Sequence, residues 1–376
     1  IGFDLVRYQY VPPDIPELNA RIFNSVKGFT MATSERIDAL IEAVKYITKA
    51  KVEGAMVECG VWKGGYVMAM ALALQAQGDE GRELYVYDIE SNKAQKLTNV
   101  LNKDIDPTHM VDSKVIRFKS FDGVEIPAIY YLPHQANKNN KVPALVMVHG
   151  GPGGQSGQYY NPLVQYLVNH GYAILAVNNR GSSGYGKTFY QMDDLNHGEK
   201  DLQDCIEGKN WLASQDVIDA ESIGIMGGSY GGYMTMAALT FAPEEFDVGV
   251  NLFGVTNWLR TLKSIPPYWE SFREALYKEL GDPYTKDSIR LHKISPLFHT
   301  ENITKPLIVL KGTQDPRVLK IEADEIVEGA KKNGRPVEYV LFEDEGHGFV
   351  KKENQIIAYS KILDFLDEHL RKTEVP

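Results

Sequence analysis

From residue 115 onward the chain repeats one alternation, a short apolar run followed by a segment of helical period. The runs are 115–119, 126–132, 144–148, 172–177, 222–226, 248–253, 307–310 and 337–342. The helical segments between and after them are 159–169, 198–214, 230–241, 269–280, 317–332 and 354–371. The later runs are almost wholly apolar, as in strands buried on both faces. This alternation predicts an α/β fold, with an eight-stranded mostly parallel sheet covered by helices on both sides. The first two runs differ. The turn Phe121-Asp122-Gly123 between them is too short for a crossover, so they form an antiparallel hairpin. In the last helix Ile357, Ile362, Leu363, Leu366 and Leu370 make a stripe close to helical period.

One junction of strand and helix carries Gly227-Gly228-Ser229-Tyr230-Gly231. A Gly-x-Ser-x-Gly at such a corner lifts a serine hydroxyl clear of the sheet, and the glycines relieve crowding in a tight turn. Serine is a weak nucleophile until a base takes its proton and an acid orients that base. The chain order Ser, Asp, His is met by Ser229, Asp315 and His347. Asp315 and His347 both follow expected strands, at the edge where ligands bind open α/β sheets. Asp315 can also cap the helix after Pro316. Asp344 is the other acid at hand, but it lies too close to His347 in sequence.

His149-Gly150-Gly151-Pro152-Gly153-Gly154 directly follows another strand. Its backbone N–H groups have no side chains in the way and can serve a developing oxyanion. The expected donors are the N–H of Gly151, with Gly150 as its alternative, and the N–H of Tyr230. No Gly-Lys-Ser/Thr follows, which argues against a phosphate loop. His149 is read as holding this loop. The remaining histidines, His109, His134, His170, His197, His292, His299 and His369, are read as surface or capping residues. No His or Cys cluster has metal-ligand spacing, so no catalytic metal is expected. Trp258, Tyr268 and Trp269 are candidates to line a substrate pocket, or to pack among inserted helices.

Residues from about Val111 to the C-terminus resemble the catalytic domain of the prolyl oligopeptidase family, nearest its acylaminoacyl-peptidase branch. The resemblance rests on five ordered motifs. They are His149 to Pro152, Asn179-Arg180-Gly181-Ser182-Ser183-Gly184-Tyr185-Gly186, Gly228 to Tyr233, Gly312 to Val318 and Glu343 to Phe349. It implies an α/β-hydrolase fold, Ser229 as nucleophile, His347 as base and Asp315 as orienting acid. It also implies an acyl-enzyme formed from peptides, acyl-peptides or esters. Arg180 is expected to be structural. Members of that family usually carry a β-propeller. The roughly 110 residues before the hydrolase are too few for one, because each blade takes roughly 40–50 residues. Simple esterase activity therefore stands beside peptidase activity.

Those first residues are similar instead to macrocin-type O-methyltransferases. The matching stretches are Gly28 to Met31, Glu35-Arg36, Val57-Glu58-Cys59-Gly60-Val61-Trp62-Lys63-Gly64-Gly65 and Leu84 to Asp88. In that family this stretch begins the S-adenosylmethionine fold. Here it is read as an extended, Pro-rich start, a helix with Ile37, Leu40, Ile41, Val44 and Ile47 on its apolar face, and one βαβ unit. The expected organisation is a partial methyltransferase-like segment at 1–90, a linker at 91–112 and the hydrolase at 113–376. A half-fold exposes apolar faces. The segment is thus expected to pack on the hydrolase or to pair with a second copy in a homodimer. A retained packing fragment is favoured over a working cofactor site, so no cofactor is expected.

Composition removes several classes. Fifty acidic against forty basic residues give a net charge of −10, with no basic block for nucleic acid or an anionic membrane. Two cysteines, Cys59 and Cys205, cannot build a disulfide framework and fit a reducing compartment. The start lacks the basic and apolar regions of a signal peptide. The most apolar run, 67–74, falls short of the roughly 20 residues of a membrane span. A cytoplasmic location is expected, with a small ester or peptide as the partner.

Overall fold

The computed structural model describes residues 11–30, 32–50, 52, 56, 64–77, 85–88, 93–96, 104–266 and 269–371. The chain divides into two compact units, 1–107 and 108–376.

In the first unit α1 (Glu17–Val26), α2 (Ser34–Lys49) and α3 (Gly65–Gln77) share a small apolar core. Ile37, Ile41 and Val44 of α2 are buried against Phe23 and Val26 of α1 and Met70 and Leu74 of α3. Two short strands, β1 (Tyr85–Asp88) and β2 (Lys93–Lys96), pair antiparallel. The Pro-rich start is non-helical through Pro16, as expected, and α1, which the sequence pattern did not announce, begins directly after it. Two expectations change here. The expected linker 91–112 contains β2 and a short 3₁₀ turn at Pro107–His109. The expected boundary at residue 90 falls between two paired strands, and the break in contacts lies after Pro107. The sequence Lys-Ala-Gln-Lys in β2 has no apolar alternation, so pattern reading passes over it. The expected strand ahead of α3 lies outside the described residues apart from Met56.

The second unit is the eight-stranded sheet. Its strands are β3 (Ser113–Lys119), β4 (Glu125–Tyr131), β5 (Val142–Val148), β6 (Ala173–Val177), β7 (Ile218–Gly228), β8 (Gly249–Leu252), β9 (Leu307–Gly312) and β10 (Val337–Phe342). Their order across the sheet is β10-β9-β8-β7-β5-β6-β4-β3. Pairs from β10 through β6 are parallel. The β3–β4 and β4–β6 pairs are antiparallel, as the short turn requires.

Helices α4 (Pro162–Asn169), α5 (Lys187–Tyr190), α6 (Lys200–Ala213), α7 (Tyr230–Phe241), α8 (Trp258–Ser264), α9 (Glu270–Leu280), α10 (Asp287–Lys293), α11 (Lys320–Lys331) and α12 (Lys352–His369) complete the unit. The central strands are sandwiched. Ala144, Val146 and Val148 of β5 join one core, with Leu202 and Cys205 of α6 and Met234 and Ala237 of α7. Leu145, between them, joins the opposite core, with Leu167 of α4 and Ile362 and Leu366 of α12. Successive residues of one strand thus bury on opposite faces, which is why these strands read as unbroken apolar runs. Each fully buried Leu or Val contributes roughly 1.5–3 kcal/mol of transfer free energy.

Arg180, just past β6, ties the β3–β4 hairpin to the body. It is buried and donates to both carboxylate oxygens of Asp204 on α6, at 2.8 and 2.9 Å. It also grips Asp122 in the hairpin turn, at 2.8 and 3.0 Å. Burial alone would weaken its charge, but the two carboxylates outweigh that and raise its pKa further. Its role is structural, as its sequence context implied.

Candidate active site

Strands β7, β9 and β10 run parallel, so their C-terminal ends open onto one edge. Ser229 stands between β7 and α7 with φ +58 and ψ −115, a backbone state that L-residues rarely adopt. A Cβ on Gly231 would lie 2.0 Å from the Val148 carbonyl oxygen. Only glycine lets α7 start so close to β5 and turn the serine outward. Tyr230 is the first residue of α7, so its N–H has no partner within the helix.

The loops after β9 and β10 bring two more groups to Ser229. His347 Nε2 lies 2.9 Å from Ser229 Oγ. His347 Nδ1 lies 2.8 Å from Asp315 Oδ2. Asp315 is buried, and its Oδ1 accepts the N–H groups of Arg317 at 2.8 Å and Val318 at 3.1 Å. Burial alone would raise the Asp315 pKa. Hydrogen bonding to His347 and the charge of Lys311 overrule it and hold the carboxyl at about 2. Asp315 does not cap the following helix, because α11 begins at Lys320 with Leu319 at its N-cap. Asp344 faces Lys351 and Asn354 instead.

The glycine loop after β5 lies against the same serine. A Cβ on Gly150 would come within 3.4 Å of Ser229 Cβ, and Gly151, at φ +141, lines the cleft with Ser229 and His347. His149 holds this loop as expected. Its Nδ1 is 2.8 Å from the Gly150 carbonyl and its Nε2 is 2.7 Å from Ser182 Oγ. Burial lowers its pKa.

The cleft beside Ser229 has apolar walls. Trp258 and Trp269 line it, together with Val255, Ile265, Phe272 and Leu276. Trp258 also packs edge-on against Tyr233, with a ring separation of 4.9 Å. Tyr268 lies outside the described residues. Phe253, another non-glycine residue at positive φ (+44), sets its ring edgewise to His347 at 5.0 Å. Pattern reading missed it because it reads as the end of an apolar run. Lys311 was also missed, and it is buried behind Asp315.

One histidine departs from expectation. His197 is not at the surface but fully buried, with Nδ1 2.7 Å from the Tyr230 hydroxyl. Tyr230 in turn donates to Asp201, and Asp193 lies 3.4 Å from His197. Burial, with the nearby Arg290 charge, lowers His197 to about 3. Burial and the Asp201 charge push Asp193 up to about 9. The polar sequence around His197 looks exposed, but the chain folds back over α7 there.

Residues 158–373 match the prolyl oligopeptidase family. The chain belongs to that family. Among its curated relatives, the dipeptidyl aminopeptidase BIII of Pseudoxanthomonas mexicana is 39% identical over 277 residues, covering 72% of this chain and 40% of that protein. The dipeptidyl peptidase family member 6 of Caenorhabditis elegans is 31% identical over 363 residues, covering 89% of this chain and 47% of that protein. The solved Pyrococcus horikoshii acylaminoacyl peptidase superposes with a TM-score of 0.68 at 30% identity, over 78% of this chain and 47% of that one. The chain thus spans less than half the length of each of these prolyl oligopeptidase relatives. Residues 23–123 are similar to the macrocin O-methyltransferase family. Within that match, residues 57–63 lie outside the described residues. Gly65, shortly after them, has a packing role, since a Cβ there would meet the Phe29 carbonyl oxygen at 2.6 Å. Among the described residues no helix is long and apolar enough to cross a membrane.

Proposed function

We propose that the chain is a serine hydrolase that cleaves short or acylated peptides through an acyl-enzyme on Ser229. The observation that carries this reading is the continuous chain from Ser229 Oγ through His347 to Asp315, at 2.9 and 2.8 Å. In this reading 113–376 is the catalytic domain. His347 Nε2 takes the hydroxyl proton as Ser229 Oγ bonds to the substrate carbonyl carbon. The carbonyl oxygen gains the negative charge, which the N–H groups of Tyr230 and Gly151 stabilise. When the tetrahedral species collapses, the bond to the leaving group breaks and His347 returns the proton to it. Water then repeats the sequence with the same base, releasing the acid and restoring the serine.

The apolar cleft supports a large hydrophobic group next to the scissile carbonyl. The names of the relatives, dipeptidyl aminopeptidase and acylaminoacyl peptidase, support peptides over plain esters. A parallel screen tests this. Aminoacyl and acyl-peptide nitroanilides with an aromatic or leucyl residue before the cut are expected to exceed glycyl ones at least tenfold in kcat/KM. p-Nitrophenyl esters are included as the ester arm. Hydrolysis of esters alone would reduce the reading to an esterase. An inert protein that a fluorophosphonate fails to label would end it.

A further inference from the structure

Lys311 follows the apolar stretch of β9 and is 0% exposed. Lysine is almost never fully buried unless paired, because removing an ammonium from water is costly. Here the pairing is specific. Lys311 Nζ donates to Asp315 Oδ2 at 2.5 Å and to the Val318 carbonyl at 2.5 Å. Asp315 Oδ2 is also the oxygen that faces His347 Nδ1.

The orientation of Asp315 is already secured without this lysine. Two backbone N–H groups fix Oδ1, and the imidazole meets Oδ2. What a buried ammonium adds is charge. The base of a serine hydrolase must be neutral to take a proton, and it becomes cationic when it does. A carboxylate alone favours the cation, and a second cation on the same carboxylate oxygen opposes it. We infer that Lys311 is a positioning residue that acts through Asp315, its buried ammonium restraining positive charge on His347, so that activity extends to lower pH. This inference rests on the serine hydrolase reading above.

The other charged groups nearby do not supply that restraint. Glu322 on α11 is buried and favours the Lys311 charge, but its oxygens are taken by the N–H groups of Thr256 and Asn257 and by the Thr261 hydroxyl. Glu345, after β10, accepts from the Val350 and Lys351 N–H groups. Arg317 lines the cleft but its side chain is exposed to solvent. Burial lowers the Lys311 pKa, and the Asp315 carboxylate works against that.

The test is the pH profile of kcat/KM for the wild type and for Lys311→Gln, Lys311→Met and Lys311→Arg, on the best substrate from the screen. Folding is checked by circular dichroism, and active sites are counted by fluorophosphonate labelling. In the two neutral variants the acid limb is expected to move to higher pH by about one unit. Relative activity at a pH on that limb then falls about tenfold. Lys311→Arg, which keeps the charge, is expected to keep the wild-type limb. An unmoved limb in folded Lys311→Gln overturns the inference, whatever the loss in kcat. So does a limb in Lys311→Arg that moves as far as in Lys311→Gln, since shape and not charge would then be the cause. If Lys311→Met does not fold, the Gln and Arg pair still decides. A wild type that is inert and unlabelled fails earlier, at the hydrolase reading itself.

Discussion

Ser229→Ala is expected to lower kcat by about 10⁵-fold on every substrate that the wild type turns over. The loss is that large because Oγ is the atom that would bond to the acyl carbon, and a nearby hydroxyl cannot take its place. The elbow that carries it has φ +58, so each side chain at 229 projects from one fixed direction. Alanine keeps the Cβ and the same backbone strain, and the glycines around it keep their fit. Stability should therefore stay within about 1 kcal/mol of wild type. Fluorophosphonate labelling should vanish together with turnover. Labelling that persists on another serine, or activity within tenfold of wild type, would remove Ser229 from the mechanism.

Asp315→Asn is expected to cost about 10⁴-fold in kcat with a much smaller change in KM. Four donors meet this carboxylate. Lys311 and His347 share Oδ2, and the Arg317 and Val318 N–H groups share Oδ1. An amide has only one oxygen, so its NH₂ must face two donors whichever way it turns. Turned toward His347, it favours the tautomer with a proton already on Nε2, and that imidazole cannot accept one from serine. Turned away, it leaves two backbone donors unpaired, at roughly 1–3 kcal/mol each. The variant should thus lose both rate and stability, measured by single-turnover kinetics and urea unfolding. Near wild-type kcat in the folded variant would show that the carboxylate does not orient the base.

Much of this site was legible because close geometry demands particular residues. Gly227 to Gly231 is a sequence that few other backbone corners require, and the order Ser229, Asp315, His347 placed all three on one sheet edge. The central strands were legible because both faces of β5 and β6 are buried. What escaped did so for physical reasons. α8 and α10 have seven residues each, too short to show a period, although Asn257 is a capping signal before α8 and accepts from the Arg260 N–H at 3.2 Å. Lys311 looks like a polar residue that ends a strand, and nothing local says that Asp315 folds back over it. Tyr268 was named for the pocket and lies outside the described residues, whereas Ile265, Phe272 and Leu276 join the walls only through the inserted helices.

The buried acids around His197 make folding a proton-uptake reaction. Asp193 is held up to about 9 by burial and the Asp201 charge, and burial pushes Asp201 up to about 7. Unfolded, both carboxyls ionise near pH 4, so from pH 4 upward the native state binds protons that the open chain has released. Stability from these groups is therefore lost as pH rises toward their folded values. His197 and His149, lowered by burial, act in the opposite sense, but only below about pH 6.5, where the unfolded imidazoles are charged. Asp315, held at about 2, changes nothing above pH 5. Between pH 7 and 9 Asp193 dominates, and burial of the Cys205 thiol adds to it. Each such proton is worth about 1.4 kcal/mol per pH unit. The melting temperature is thus expected to fall from pH 7 to pH 9, and Asp193→Asn should flatten that fall. A scan that is level or rising over this range would mean that Asp193 is ionised in the native protein.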